Sequence, residues 1–144
     1  YTYSEVPYDH WWQSLTGHSL NSALGWQRNH FDRLLHLLFG LLIIYAMREM
    51  LVRLAGLRGA WSYLLPLAAV MALSLLYELI EWLAAVVFGG DLGLAYVGTQ
   101  GDVWDAQKDM ACAAVAAFTI LLLMVARNIW GQSKNSRCLV ETDL

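Results

Sequence analysis

Three stretches of this chain are apolar for twenty residues or more, and they constrain its fold more than any other feature. Crossing about 30 Å of hydrocarbon at 1.5 Å per residue takes roughly 20 residues. The stretches from about Phe31 to Leu54, Trp61 to Phe88 and Val103 to Val125 each suffice. Lipid offers no hydrogen-bond partner to an open backbone, so all three are expected to be helices. Pro66 falls in the opening turns of the second, where a missing N–H is tolerated. Of 144 residues only 15% are charged and 58% are hydrophobic, whereas a soluble domain carries about 25% charged residues. That excludes a soluble enzyme, a disordered tail and a basic nucleic-acid binder. The net charge of -3 gives no general attraction to polyanions, so no nucleic-acid partner is expected.

The expected fold class is therefore all-α: an integral membrane bundle of three transmembrane helices preceded by an aromatic-rich interfacial segment. Residues 1–27 carry Tyr1, Tyr3, Tyr8, Trp11, Trp12 and Trp26 among polar side chains, the composition of a segment lying in the headgroup layer. Residues 28–130 form the transmembrane domain, and 131–144 a polar cytoplasmic tail. Lys and Arg bias sets the orientation. Arg48, Arg53 and Arg58 follow the first span and Arg127, Lys134 and Arg137 follow the third, so those ends are expected in the cytoplasm. The connection GGDLGLAYVGTQG has neither residue type and is expected outside, although Arg28 and Arg33 argue the other way. Cys112 and Cys138 lie in unlike surroundings, and no disulfide is expected. The opening at Tyr1 lacks the form of a signal peptide, and a fragment or processed product is expected.

Ionisable residues gather at the expected outer ends of the spans. NHFDRLLH brings His30, Asp32, Arg33 and His36, LLYELIEW brings Glu78 and Glu81, and GDVWDAQKDM brings Asp102, Asp105, Gln107 and Asp109. Positions three, four and seven apart share a helix face. Asp102, Asp105 and Asp109 thus form one stripe continued by Ala113 and Ala116. Glu78 and Glu81 form a second, flanked by Ser74 and Ala85. Asn29, Arg33, His36 and Gly40 form a third, with Asp32 beside His36 and His30 pointing away from Asp32. Small residues beneath the polar ones would let the helices approach closely, with the stripes facing one another.

A carboxylate at membrane depth costs at least ~2.5 kcal/mol, and the arginine and histidines of the first span are too few for six acids. A divalent cation would supply the missing charge. A mixed carboxylate and imidazole set favours Mn, Fe or Zn, with Mg or Ca where imidazole is absent; protonation of some carboxyls is the other solution. The expected metal ligands are His36, Glu78, Glu81, Asp105 and Asp109. Plainer roles compete. Asp102 and Asp105 suit a helix start, Asp32 and His36 could simply pair, and Arg33 could reach outward to the headgroups. Two glutamates one turn apart have the weakest structural explanation.

At these same residues, from YSEVPYDHWW to GTQGDVWDAQKDM, the chain resembles the YjdF-like family of bacterial inner-membrane proteins. That family is similar in layout to the VanZ-like membrane proteins, in which a histidine-bearing helix precedes an acidic helix and an Asp-containing helix start. The resemblance implies a fold and a compartment, the multi-pass inner membrane, and further helices before the aromatic segment; it implies no substrate.

Three functions are open to such a chain. The first is a metal-dependent hydrolase or transferase of the outer leaflet acting on a lipid or lipid-linked substrate. There Glu78 and Glu81 would be catalytic, Arg33 and Gln107 would bind substrate, and His30, Asp32 and Asp102 would support the ligands. The second is proton or ion handling, against which the lower helix halves lack ionisable residues. The third is a small accessory subunit of a larger membrane complex. Membrane lipids are the expected partners, with a homo-oligomer or larger complex as the alternatives.

Overall fold

The computed structural model describes residues 3–142, and every regular element among them is helical. Tyr1 and the side chains of Lys134, Arg137 and Cys138 lie outside the described residues. A 3-10 turn at Tyr3–Glu5 precedes α1 (Tyr8–Thr16) and α2 (Leu20–Leu24). The long helices α3 (Phe31–Ala55), α4 (Trp61–Phe88) and α6 (Asp105–Thr142) follow, with a short α5 (Gly90–Val97) before the last. α3, α4 and the Asp105–Gly131 part of α6 are each long and apolar enough to cross a membrane. The first two spans lie where hydropathy places them. The third helix starts two residues later than expected and continues well past Val125, because nothing between Ala126 and Thr142 breaks a helix.

Little of these spans is buried. Side chains such as Leu42, 67% exposed, and Phe88, 64% exposed, would be a liability in water and are ordinary lipid contacts in a bilayer. The buried residues fall on one stripe per helix. In α3 they are Asp32, His36, Gly40 and Ile44, and in α4 Ser62, Pro66, Val70, Ser74 and Glu81. In α6 they run from Asp105 and Asp109 through Ala113, Ala116 and Ala117 to Leu121. Each stripe is polar toward one end of the bundle and apolar or small below. The apolar core joins Ile44, Val70, Ala117 and Leu121.

α3 and α6 make the closest approach. A Cβ on Gly40 would overlap the Ala113 carbonyl oxygen and come within 2.9 Å of the Ala116 Cβ, as the small-residue stripes led one to expect. At the opposite end of the bundle from the acids, Arg48 lies 4.5 Å over the Tyr63 ring, whose hydroxyl accepts from Asn128 at 2.9 Å.

The α4–α6 connection contains α5, which the sequence alone does not reveal. α5 packs back against the end of α4. Gly93 allows the contact, since a Cβ there would meet the Ala85 carbonyl oxygen at 2.5 Å. Gln100 is the non-glycine residue with positive φ, +46°, among the described residues. Its side chain holds that strained position by pairing with the Asn29 backbone, accepting from the N–H at 2.9 Å and donating to the carbonyl at 3.0 Å. The loop is thereby fixed to the entry of α3.

Candidate functional site

The ionisable stripes meet at one end of the bundle and sort into two groups. In the first, Asp102 and Asp105 sit at the start of α6 and Asp109 one turn further in. Arg33 reaches them from α3, with Nη2 2.7 Å from Asp102 and 3.0 Å from Asp105 and Nε 3.6 Å from Asp109. Arg28, in the connector before α3, lies 2.7 Å from Asp105 and 3.3 Å from Asp102, and also donates to the Thr99 and Gly98 carbonyls. Lys108 folds back to Asp102 at 2.6 Å. Three acids thus face three bases. Asp102 also accepts from the Trp104 N–H at 3.1 Å, so its expected helix-start role is present beside the ionic one.

The second group lies between α3 and α4. His36 Nε2 stands 3.0 Å from Glu78 Oε1 and 3.8 Å from Asp32 Oδ1, and Nδ1 exchanges a hydrogen bond with Ser74 Oγ at 3.2 Å. The approach to Glu78 is close but poorly aligned, and Asp32 Oδ1, His36 Nε2, Glu78 Oε1 and Glu81 Oε1 are buried with no hydrogen-bond partner. Glu81 is bonded to Tyr77, whose ring meets His36 edge-on at 5.5 Å. Beside these groups is a cavity of about 390 Å³, lined by Asp32, Leu35, His36 and Phe39 from α3 and by Leu73, Ser74 and Tyr77 from α4. Leu73 on its wall is 40% exposed, so the cavity borders the surface that these two helices turn toward lipid.

This division corrects the expected ligand set. His36 and Glu78 are together, but Asp105 and Asp109 belong to the arginine group and Glu81 is bonded to Tyr77. Among the described residues no three His, Cys, Asp or Glu side chains are arranged to hold a metal ion. The physical reason is that the acids of α6 already have counter-charges. Arg28 and Lys108 were absent from the sequence's charge balance, the first because it lies in an irregular connector with no helical phase. Arg33, expected to hold substrate, is occupied by aspartates. Gln107 is exposed, since a position two residues from both Asp105 and Asp109 faces away from their stripe. His30 packs against Trp26, with ring centres 4.5 Å apart and ring planes tilted by 55°, and lies 3.3 Å from Arg33. Asp32 keeps its expected place beside His36.

The charges outside the spans predict how acid weakens the fold. Burial, then Arg33 and Arg28, pushes the His30 imidazole below its ordinary value, while Lys108 first and the surrounding donors hold the Asp102 carboxyl well below the usual carboxylate range. A lowered folded value means stability that is complete above the unfolded value and declines as pH falls toward the folded one. Stability is expected to decline first below about pH 6.5 and again below about pH 3.9, the unfolded values of the two residue types. Denaturant unfolding across pH checks this: His30→Gln should flatten the first decline and Asp102→Asn the second.

The family described as "predicted membrane protein (DUF2238)" matches residues 1–129. The inner membrane protein YjdF of Escherichia coli strain K12 is 38% identical over 125 residues, covering 86% of this chain and 56% of that protein. The chain therefore spans about half the length of this curated relative. No solved structure matches.

Proposed function

The chain belongs to the DUF2238 family of predicted membrane proteins, and from that premise we propose that it is a multi-pass protein of the bacterial inner membrane that takes a polar group of a lipid or lipid-linked molecule into the cleft between α3 and α4. The observation that carries this reading is the cavity itself. It stands against lipid and is bordered by buried polar atoms that lack partners, and such atoms cost roughly 1–3 kcal/mol each unless something satisfies them. A bound polar group would do so.

Within this reading His36 forms part of the cavity wall, held by Ser74 at one ring nitrogen and by Glu78 at the other. Glu78 and Glu81, expected as catalytic residues, become positioning groups: Glu78 orients His36 and Glu81 orients Tyr77. Arg28 and Arg33 hold the entry of α3 against α6. The arginines at the opposite end, Arg48, Arg53, Arg58 and Arg127, support an external-leaflet location.

Native mass spectrometry of protein extracted from vesicles into mild detergent tests the reading. Wild-type protein is expected to retain lipid, and Ser74→Leu, which fills the cavity wall, to weaken retention about tenfold or more, equivalent to about 1.4 kcal/mol, at unchanged helix content. Equal retention by both proteins would sink it.

A further inference from the structure

We infer that the group held in this cavity carries an ammonium charge. The inference rests on the cleft reading above and adds the chemical class of the ligand. Asp32, 8% exposed, lines the cavity with an oxygen that has no hydrogen-bond partner, beside His36, 4% exposed, whose Nε2 lies 3.0 Å from Glu78 Oε1. Glu78 and Glu81 stand close behind, so this side of the bundle sets three carboxyl groups against one imidazole. The nearest fixed cations offer no relief, because Arg28 and Arg33 are engaged by Asp102, Asp105 and Asp109. Among the described residues, no Lys or Arg lines the cavity to receive an anion.

The walls add a second, independent preference. Phe39 from α3 and Tyr77 from α4 both line the space, and aromatic faces attract a desolvated cation. A carboxylate and aromatic side chains lining one space select an alkylammonium over a phosphate or a neutral hydroxyl. Such a group could be the headgroup amine of a lipid or a small free amine, and the chemistry of the cavity is the same for both.

The test uses the full chain reconstituted in vesicles of phosphatidylethanolamine and phosphatidylglycerol in equal amounts, extracted into mild detergent and weighed intact, with and without soluble ethanolamine. The expected result is enrichment of the amine lipid over the anionic one by about tenfold. Asp32→Asn should reduce that enrichment to near parity while lipid is still retained. Should Asp32→Asn fail to fold, Phe39→Leu, which keeps the apolar wall and removes the aromatic face, is expected to reduce it several-fold. Equal retention of both lipids by wild-type protein would overturn the ammonium assignment and leave the cleft reading standing. Ethanolamine bound with no lipid retained would support the assignment and sink the lipid-binding reading. Neither lipid nor ethanolamine bound would end both.

Discussion

Replacing Asp105 with asparagine is expected to cost this protein about 3–5 kcal/mol of folding stability, the usual penalty for removing one partner of a buried ion pair. Asp105 is 3% exposed and contacts both Arg28 and Arg33. The substitution keeps the shape and removes the charge, leaving two guanidinium groups to share Asp102 and Asp109 in a region of low dielectric. Unfolding of bicelle-reconstituted protein by SDS measures the loss. Glu49→Gln is the control: Glu49 pairs with an Arg53 side chain that is 75% exposed, and pairs of that kind contribute roughly 0–1 kcal/mol. A loss for Asp105→Asn no larger than the control's would mean that the arginine cluster does not hold α6 to α3. The combination Arg28→Met with Asp105→Leu should recover part of the loss, since removing both members of a pair leaves no orphaned charge.

Gly40→Leu is expected to do as much damage by a different route. The added side chain has nowhere to go, because even its first carbon would overlap the Ala113 carbonyl oxygen, and backbone cannot swing aside as a flexible side chain can. Overpacking typically costs about 1–3 kcal/mol and occasionally more; here α3 and α6 must separate, so a value at or above the upper end is expected, with Gly40→Ala intermediate. Gly131→Ala provides the control, since a Cβ there meets nothing within 4 Å, and the change should be neutral or slightly stabilising. The same SDS titration reads all three. If Gly40→Leu melts like wild type, the close approach of α3 and α6 is wrong. These two helices also carry the arginine cluster, so a parallel loss of the acid limb assigned to Asp102 would show that packing and ion pairing report on one contact.

The spans were legible because lipid imposes its length requirement on every crossing helix, and the start and finish of α4 were readable to the residue. The polar stripes were legible for a related reason: helical phase is fixed, so Asp105, Asp109 and Ala113 had to share a face. The same arithmetic already argued against Gln107, two residues from each aspartate. Three things escaped the sequence. α5 is short and bracketed by glycines at 89 and 98, and its helicity depends on packing against the end of α4. Arg28 and Gln100 lie in irregular backbone, where nothing in the sequence gives the direction of a side chain. Lys108 was misjudged because a long flexible stem can carry its charge back along the helix to Asp102. Together these omissions made the site look short of positive charge, and that shortage was the argument for a metal.

The arginine cluster has a consequence for how the chain is made. It joins positions 77 residues apart, one ahead of the first span and the other at the start of the last. During synthesis Arg28 and Arg33 emerge ahead of the α6 acids that pair with them, and they wait for those partners until α6 has left the ribosome. Final docking of the bundle is therefore a late event, gated by delivery of the α6 acids. Until then the insertion machinery, or the water and headgroups at the bilayer edge, has to shelter two cations that the finished protein pairs with its own carboxylates.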